Sequence, residues 1–213
     1  MKKRYALPFV FLFILALLSG CMRAPKMNYR IIVNKDHPIP DDFIVTVRFV
    51  DVTDDVDQEV ICVEQETYKA FEALQSALEE KGIRIGIDAA YRSEEKQREL
   101  MDQCISLYGY DYAHNTVAAP GTSEHHTGLA IDIVPMVNGE WVSENEDMLK
   151  ETALFAAIHE MLPDYGFILR YPEGKEEITG ISYEPWHIRY VGEEFAKELY
   201  EKGLTMEEWA LDH

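Results

Sequence analysis

The chain has 213 residues, three cysteines and a formal net charge of −19 at pH 7. So large an excess of acidic residues repels phosphate backbones, and nucleic acid is therefore excluded as a partner. The length suits one domain with a single hydrophobic core, once an N-terminal segment is set aside.

The first 21 residues have the pattern of a secretory signal. Residues 2–4 are basic and precede an apolar run that is short for a membrane span, and the run ends in Leu18-Ser19-Gly20-Cys21. This ending resembles a bacterial lipobox, whose cysteine becomes the lipidated first residue; the alternative is an ordinary signal peptide with an incidental cysteine. We predict a lipoprotein signal peptide over residues 1–21, a tether over 22–30 and a lipid anchor at Cys21. Losing three basic and no acidic residues would change the formal charge from −19 to −22.

Two further cysteines, Cys62 and Cys104, are isolated in the sequence. They lack the C-x-x-C spacing of a metal site, so neither is predicted to be a ligand. Outside the cell they are able to pair, but only if their Cα atoms lie within about 7 Å. A disulfide and a buried free thiol are equal alternatives.

Hydrophobic periodicity divides residues 31–213, the predicted domain, into short strands and helices. Alternating or β-branched runs predict strands at 43–50, 83–91, 128–134, 167–171 and 186–191, with Trp141 in a small hairpin partner. Helical spacing of apolar residues predicts helices at 64–81, 94–107, 146–162, 193–201 and 206–211. The Gly-, Pro- and Asn-containing segment 109–122 is predicted to be a loop.

Local signals mark two helix ends and the fold class. Gly82 is the expected stop of one helix, and Ser93 is the expected N-cap of the next. Glu94 and Glu95 are favourable at the positive end of that second helix. Because strands and helices are mixed without regular βαβ alternation, we predict an α+β fold with a central, largely antiparallel sheet flanked by helices.

The segment 123–132, Ser-Glu-His-His-Thr-Gly-Leu-Ala-Ile-Asp, carries the first chemical signal. On a strand, Asp132 shares its face with Ala130 and a glycine, and these small residues leave room for a metal ion and its water. A turn before the strand would fold a histidine back toward that face. His125 and His126 are adjacent and do not both suit one ion, so geometry leaves a choice between them. A single His near an Asp is usually a structural pair, but a second His motif favours metal binding here.

The second signal is Glu184-Pro185-Trp186-His187. Proline interrupts a helix, and an ideal strand would point Glu184 and His187 to opposite faces, so we predict a bend at Pro185 that brings both to the metal. Two imidazoles and one aspartate form the three-ligand set of a catalytic zinc site, which keeps a fourth position for water. Glu184 is then placed to accept a proton, although a surface carboxylate is the simpler interpretation.

Arg92 follows a predicted strand and opens a helix, with Gln97 one turn further along. A guanidinium at this position would hold a substrate carboxylate bidentately, which is what an exopeptidase requires. Pairing of Arg92 with a nearby glutamate is an equal alternative. His159 lies four residues after Phe155 on an apolar stripe and is predicted to be a core histidine, whereas histidines 37, 114 and 213 carry no signal.

These motifs resemble those of the VanY-like D-alanyl-D-alanine carboxypeptidases, members of the zinc peptidases that share the Hedgehog/D-Ala-D-Ala peptidase fold. The resemblance covers roughly residues 31–211. The matching residues are Tyr91-Arg92-Ser93 with Gln97, Ser123-x-His125-x-x-Gly128-x-Ala130-x-Asp132, and Glu184-x-x-His187.

The resemblance implies a role for each matching residue. Zinc would be bound by His125, Asp132 and His187, with Glu184 as the catalytic base. His125 is favoured over His126 because the family's serine lies two residues before the ligand.

The resemblance also implies a substrate-binding set. Arg92, Gln97 and Ser123 would hold the terminal carboxylate or the peptide backbone of the substrate. Contact of Arg189 with the substrate or its developing oxyanion is a weaker hypothesis.

The implied reaction removes the terminal D-alanine from a peptidoglycan stem peptide outside the bacterial membrane, by a monomeric, lipid-anchored enzyme. An L,D-carboxypeptidase and a D,D-dipeptidase would share the same metal set and are alternatives within the same class. A non-catalytic, wall-binding lipoprotein is an alternative from another class. The presence of Glu184 argues against it, because a binding module needs no base.

Overall fold

The computed structural model describes residues 27–50 and 61–212. The predicted signal peptide, the lipidation site at Cys21 and most of the predicted tether lie outside the described residues. The end of that tether contacts the domain: Tyr29 meets the ring of Tyr190 edge-on, and the Arg30 guanidinium lies over Phe195. Within the described ranges, no helix combines the length and apolar character that a membrane crossing requires.

Within residues 27–50 and 61–212, two antiparallel sheets form the framework. The smaller sheet pairs β1 with β2, and the larger has the strand order β3-β4-β7-β6, with β5 paired to the far end of β4. Each neighbouring pair is antiparallel, so the predicted arrangement of the sheet is confirmed. The strands are β1 (Val47–Val50), β2 (Ile61–Glu64), β3 (Ile85–Ala89), β4 (Ala130–Val137), β5 (Glu140–Trp141), β6 (Phe167–Leu169) and β7 (His187–Tyr190).

Helices connect the strands and cover the sheet. In the part of the chain that the structure describes, two of them are 3₁₀ turns, at Glu124–Thr127 and Leu162–Tyr165. The α-helices are α1 (Gln65–Glu80), α2 (Glu94–Tyr108), α3 (Tyr110–Thr116), α4 (Asn145–Met148), α5 (Thr152–His159), α6 (Glu176–Thr179), α7 (Glu193–Lys202) and α8 (Met206–Leu211).

Local sequence explains where the main helices begin. The Ser93 hydroxyl accepts from the backbone N–H of Lys96, which confirms the predicted N-cap of α2. Helix α1 is capped instead by the Glu64 carboxylate, which accepts from the N–H groups of Glu66 and Thr67. A carboxylate at this end also offsets the positive end of the helix dipole.

Two predicted boundaries are wrong. Segment 109–122 contains α3, because Gly109 (φ +89°) turns the chain and Ala113 is then buried against α2. The predicted helix 146–162 is divided into α4, α5 and a 3₁₀ turn. Its apolar stripe consists of Met148, Phe155 and Leu162, and all three are nevertheless buried. Residues seven positions apart can face one core from several short helices as well as from one long helix.

The core lies between α1, α5 and one face of the larger sheet. On β4, Ile131 and Ile133 belong to this core, so Ala130 and Asp132 point to the opposite face. This alternation aims Asp132 away from the apolar interior. Cys62 and Cys104 are both free thiols, the first half-buried and the second buried.

Candidate metal centre and active site

A capped 3₁₀ turn places the first histidine. The Ser123 hydroxyl accepts from the N–H of His125 at 3.3 Å, and the turn ends at Gly128 in the left-handed conformation (φ +70°). A Cβ atom on Gly128 would lie 2.9 Å from Cγ1 of Val47. Glycine is therefore required both by the backbone and by this close approach.

His125, Asp132 and His187 meet at one point. Asp132 is the register partner of His187 across β4 and β7, and its Oδ1 lies 2.8 Å from Nδ1 of His187. Its Oδ2 lies 3.2 Å from Nε2 of His125. One ligand atom from each of the three residues lies within 4.8 Å of the others, so together they could hold a metal ion.

Hydrogen bonding orients His125. Its Nδ1 lies 2.6 Å from the carbonyl oxygen of Ala90. Because a carbonyl oxygen only accepts, this contact assigns the proton to Nδ1 and leaves the Nε2 lone pair facing Asp132. A neutral imidazole with this tautomer is a competent metal ligand.

Burial and neighbouring charges set the protonation of the three residues. Burial opposes ionisation of Asp132, but the imidazoles of His125 and His187 hold the pKa of that carboxyl well below its usual range. Burial also opposes the charge on His187, yet Asp132 outweighs it and raises the pKa of His187 to about 9. Burial lowers the pKa of His125. An ionised carboxylate therefore lies between the two imidazoles.

Glu184 joins this group through the predicted bend. The N–H of His187 donates to the carbonyl oxygen of Glu184 at 3.2 Å, and the Glu184 Oε2 lies 3.8 Å from Nδ1 of His187. The Glu184 side chain is 20% exposed, toward the cavity. Burial is the main cause that raises the pKa of Glu184 to about 7, with Asp132 adding to it.

The three residues assigned to the substrate line the same cavity of about 310 Å³. Arg92 donates from Nη1 to Oε1 of Gln97 at 3.0 Å, and Gln97 donates to the carbonyl of Ala118 at 2.8 Å. Gln97 is itself buried and holds the guanidinium at the cavity wall. Ser123 lines this cavity as well as capping the turn before His125.

Two of the histidines with no predicted metal role, His126 and His159, have structural partners. The Nε2 of His126 accepts from the N–H of Gly121 at 3.0 Å, and its Nδ1 donates to the carbonyl of Arg92 at 2.6 Å. His126 thereby ties the ligand turn to the backbone of Arg92. His159 is partly buried with its Nε2 2.9 Å from the carbonyl of Pro185, so it has the hydrogen-bond partner that a core histidine needs.

Sequence reasoning missed a buried ionic group behind His187. Oε1 of Glu124 accepts from Nε of Arg170 at 2.8 Å and from Nη1 of Arg189 at 2.6 Å, and all three side chains are fully buried. Arg170 also pairs with Glu207. Glu124 lies within the first motif, but Arg170 and Glu207 lie outside every motif, so the sequence gave no sign that these charges pair.

The hypothesis that Arg189 contacts substrate is wrong. Its guanidinium is buried, and besides Glu124 it donates to the carbonyl oxygens of Tyr29 and Ile31. Arg189 therefore fastens the N-terminal segment to the sheet. The cavity wall at this point is formed instead by Tyr171, whose ring packs against His187 with centroids 4.7 Å apart.

An antiparallel α+β scaffold that brings two histidines, an aspartate and a further carboxylate to one cavity defines a class: the single-metal hydrolases. Residues 60–193 match the family described as "VanY: D-alanyl-D-alanine carboxypeptidase". The chain belongs to this family.

Individual relatives agree with this assignment. The chain is 37% identical over 192 residues to the bifunctional D-Ala-D-Ala dipeptidase and D-Ala-D-Ala carboxypeptidase VanXYC of Enterococcus gallinarum, covering 86% of this chain and 94% of that protein. The predicted family is confirmed.

Solved structures extend the agreement to the fold. The Zn(II) complex of a mutant of the vancomycin resistance D,D-pentapeptidase VanY, from a VanB-type resistance cassette, is similar with a TM-score of 0.72 and 34% identity, covering 86% of this chain and 99% of that one. The LD-carboxypeptidase LdcB is similar with a TM-score of 0.73 and 36% identity, covering 84% and 83%. The predictions of fold class and of a carboxypeptidase-type hydrolase are confirmed.

Proposed function

We propose that the protein is a zinc-dependent D-alanyl-D-alanine carboxypeptidase that removes the C-terminal D-alanine from peptidoglycan stem peptides. The single observation that carries this proposal is the convergence of His125, Asp132 and His187 beside Glu184 in a cavity lined by Arg92. The cavity thus combines a metal-binding set, a base and a cation suited to a terminal carboxylate.

The donor set fits zinc. Two imidazoles and one carboxylate, all nearly buried, are the ligands that Zn²⁺ takes in hydrolytic sites, whereas calcium and magnesium prefer oxygen ligands alone. His125 would bind through Nε2 and His187 through Nδ1, the atoms that face Asp132. When bound, zinc supplies a Lewis acid that polarises the scissile carbonyl and makes a water molecule more acidic.

The protein's own residues would handle the protons and the substrate. Glu184, with a pKa near neutrality, would accept a proton from the attacking water and pass it to the leaving amine of D-alanine. Arg92, held by Gln97, would bind the terminal carboxylate and thereby select the last peptide bond. Ser123 lies at the same wall and would contact the substrate backbone.

A related peptidase activity is the second candidate. One solved relative is an LD-carboxypeptidase and one sequence relative is also a dipeptidase. An L,D-carboxypeptidase would release D-alanine from tetrapeptide stems, and a D,D-dipeptidase would cleave free D-Ala-D-Ala. These activities use the same metal set and differ in the shape of the pocket.

We also propose that the enzyme works outside the cytoplasm, held to the membrane by a lipid on Cys21. The lipobox-like Leu18-Ser19-Gly20-Cys21 supports this anchor, and a cell-wall substrate fits such a location.

The decisive experiment uses zinc-loaded protein with defined tri-, tetra- and pentapeptide stems, followed by mass spectrometry. Release of one D-alanine from the pentapeptide alone supports D,D-carboxypeptidase activity. Glu184→Ala should lower turnover by about 10²- to 10⁴-fold, the range that general acid–base groups supply, while still binding one zinc ion. Glu177→Ala, a change at an exposed carboxylate on α6, is the control and should leave turnover unchanged. Unchanged hydrolysis by Glu184→Ala would refute its role as the base.

A further inference from the structure

Two polar atoms face each other behind the metal centre without a hydrogen bond. Among the described residues, the buried side-chain atoms that lack any hydrogen-bond partner are Oε2 of Glu124 and Nε2 of His187. They lie 3.8 Å apart. Leaving such atoms unsatisfied is costly, so a pair of them in mutual reach indicates a contact that the site makes in its working form.

The other oxygen of Glu124 is firmly held. Its Oε1 accepts from both Arg170 and Arg189, and the side chain is fully buried. The two guanidinium groups neutralise this carboxylate and so favour its charged form in the interior. An ionised carboxylate is therefore fixed in place, with one free oxygen directed at the imidazole of His187.

The opposite side of that imidazole faces the metal centre. Nδ1 of His187 lies 2.8 Å from Asp132, whereas Nε2 points away from the cavity toward Glu124. A neutral histidine carries its proton on only one nitrogen, and the partner of the second nitrogen decides which one. Both nitrogens of His187 thus face an acceptor-only carboxylate, Asp132 at Nδ1 and Glu124 at Nε2. When a metal ion takes Nδ1 and Asp132 together, Glu124 is the acceptor left for the proton of the ring.

We propose that Glu124 is a positioning residue that receives the Nε2–H of His187 and so fixes this histidine as an Nδ1 ligand. The proposal rests on the proposed zinc site and deepens it. A short movement of the ring toward Glu124 brings the 3.8 Å separation into hydrogen-bond range. A carboxylate behind a ligating histidine also makes the imidazole a stronger donor to the metal.

The two histidine ligands are then held in different ways. His125 donates from Nδ1 to the neutral carbonyl of Ala90 and presents Nε2, whereas His187 donates from Nε2 to a carboxylate and presents Nδ1. The guanidinium groups of Arg170 and Arg189 neutralise the Glu124 carboxylate, which allows it to remain charged in an interior that excludes water. Arg170 and Arg189 thus serve the metal centre only through Glu124.

The test compares Glu124→Gln with Glu207→Gln. Each change removes one negative charge from a partner of Arg170, but only residue 124 faces His187. We expect Glu124→Gln to weaken zinc binding about 10- to 100-fold in competition with a chromophoric chelator, and Glu207→Gln to keep the wild-type affinity. An amide at position 124 would direct N–H toward Nε2 and favour the wrong tautomer. Equal affinities for Glu124→Gln and the wild type would overturn the proposal.

A measurement on the unaltered protein covers the case in which Glu124→Gln does not fold. Long-range ¹H–¹⁵N spectra of the zinc-loaded wild type should show a protonated Nε2 and a metal-shifted Nδ1 for His187. The reverse assignment would overturn the role of Glu124 while leaving the zinc site intact. Absence of zinc binding by the wild type would reject the proposed function itself, so the two failures are distinguishable.

Discussion

Two clusters of charged residues lie on opposite sides of the His187 ring and differ in how their charges balance. The metal cluster consists of His125, Asp132, Glu184 and His187. The Arg–Glu cluster consists of Glu124, Arg170, Arg189 and Glu207. The first joins two carboxylates to two imidazoles at a cavity wall, and the second matches two guanidinium groups with two carboxylates in the interior. A surplus of carboxylates leaves a place for a divalent cation, whereas a balanced set is already complete.

The sheet stacks these clusters two residues apart. On β7, His187 and Arg189 point to the same side, and on β4 their register partners are Asp132 and Ala130. The Arg–Glu cluster therefore supports the metal cluster from the side opposite the cavity.

The largest effect on stability is expected from breaking the balanced cluster. Arg189→Met removes one of two cations from Glu124 and leaves a buried carboxylate under-compensated, which should lower the free energy of unfolding by about 3–5 kcal/mol. Urea denaturation of the metal-free protein measures this change. Lys197→Met breaks an exposed pair with Asp164 and should leave the stability unchanged. A similar, small effect for both variants would show that the Arg–Glu cluster does not support the fold.

Sequence predicted the metal cluster well because its residues lie in short motifs with strict geometry. Alternation on β4 places Asp132 on one face, and a proline requires the bend that returns Glu184 to His187. The same alternation predicts the core, since Ile131 and Ile133 must then point to the other side. Local rules thus explain the placement of Asp132 and Glu184, whereas the choice of His125 over His126 came from the resemblance to the family.

The Arg–Glu cluster was not predictable by such rules. Charged residues are ordinarily exposed, and burial of Glu124 depends on Arg170 and Arg189, which are 46 and 65 residues away. Contact of Arg189 with the substrate was for the same reason only a weaker hypothesis, and the residue instead fastens the N-terminal segment. The break between α4 and α5 escaped notice because the buried stripe keeps its spacing across it. Long-range pairing and helix interruptions of this kind need the three-dimensional structure.

A smaller effect, confined to catalysis, is expected from replacing Arg92, the cation that lines the cavity. Arg92→Lys keeps the charge but loses the planar fork, so kcat/KM on a pentapeptide stem should fall about 10- to 100-fold with zinc affinity unchanged. A pentapeptide with an amidated C-terminus is the control substrate, because it has no carboxylate to hold. On this substrate the wild type should be slow and the variant no slower. An equal loss on both substrates would show that Arg92 does not act through the terminal carboxylate of the substrate.

The smallest effect concerns His159, which supports the bend of the metal cluster from the core side by donating to the carbonyl of Pro185. Burial lowers the pKa of His159, so the unfolded chain takes up a proton at this residue before the folded protein does. Stability from this residue is therefore complete above the ordinary histidine pKa and declines as the pH falls. His159→Gln keeps an N–H donor but does not titrate. The difference in unfolding free energy between wild type and variant, measured without metal at pH 7.5 and 5.0, should shift against the wild type by at most about 1.4 kcal/mol per pH unit. All other titrating groups are common to both proteins. A difference in unfolding free energy that stays constant with pH would therefore mean that His159 has the same pKa in the folded and the unfolded state.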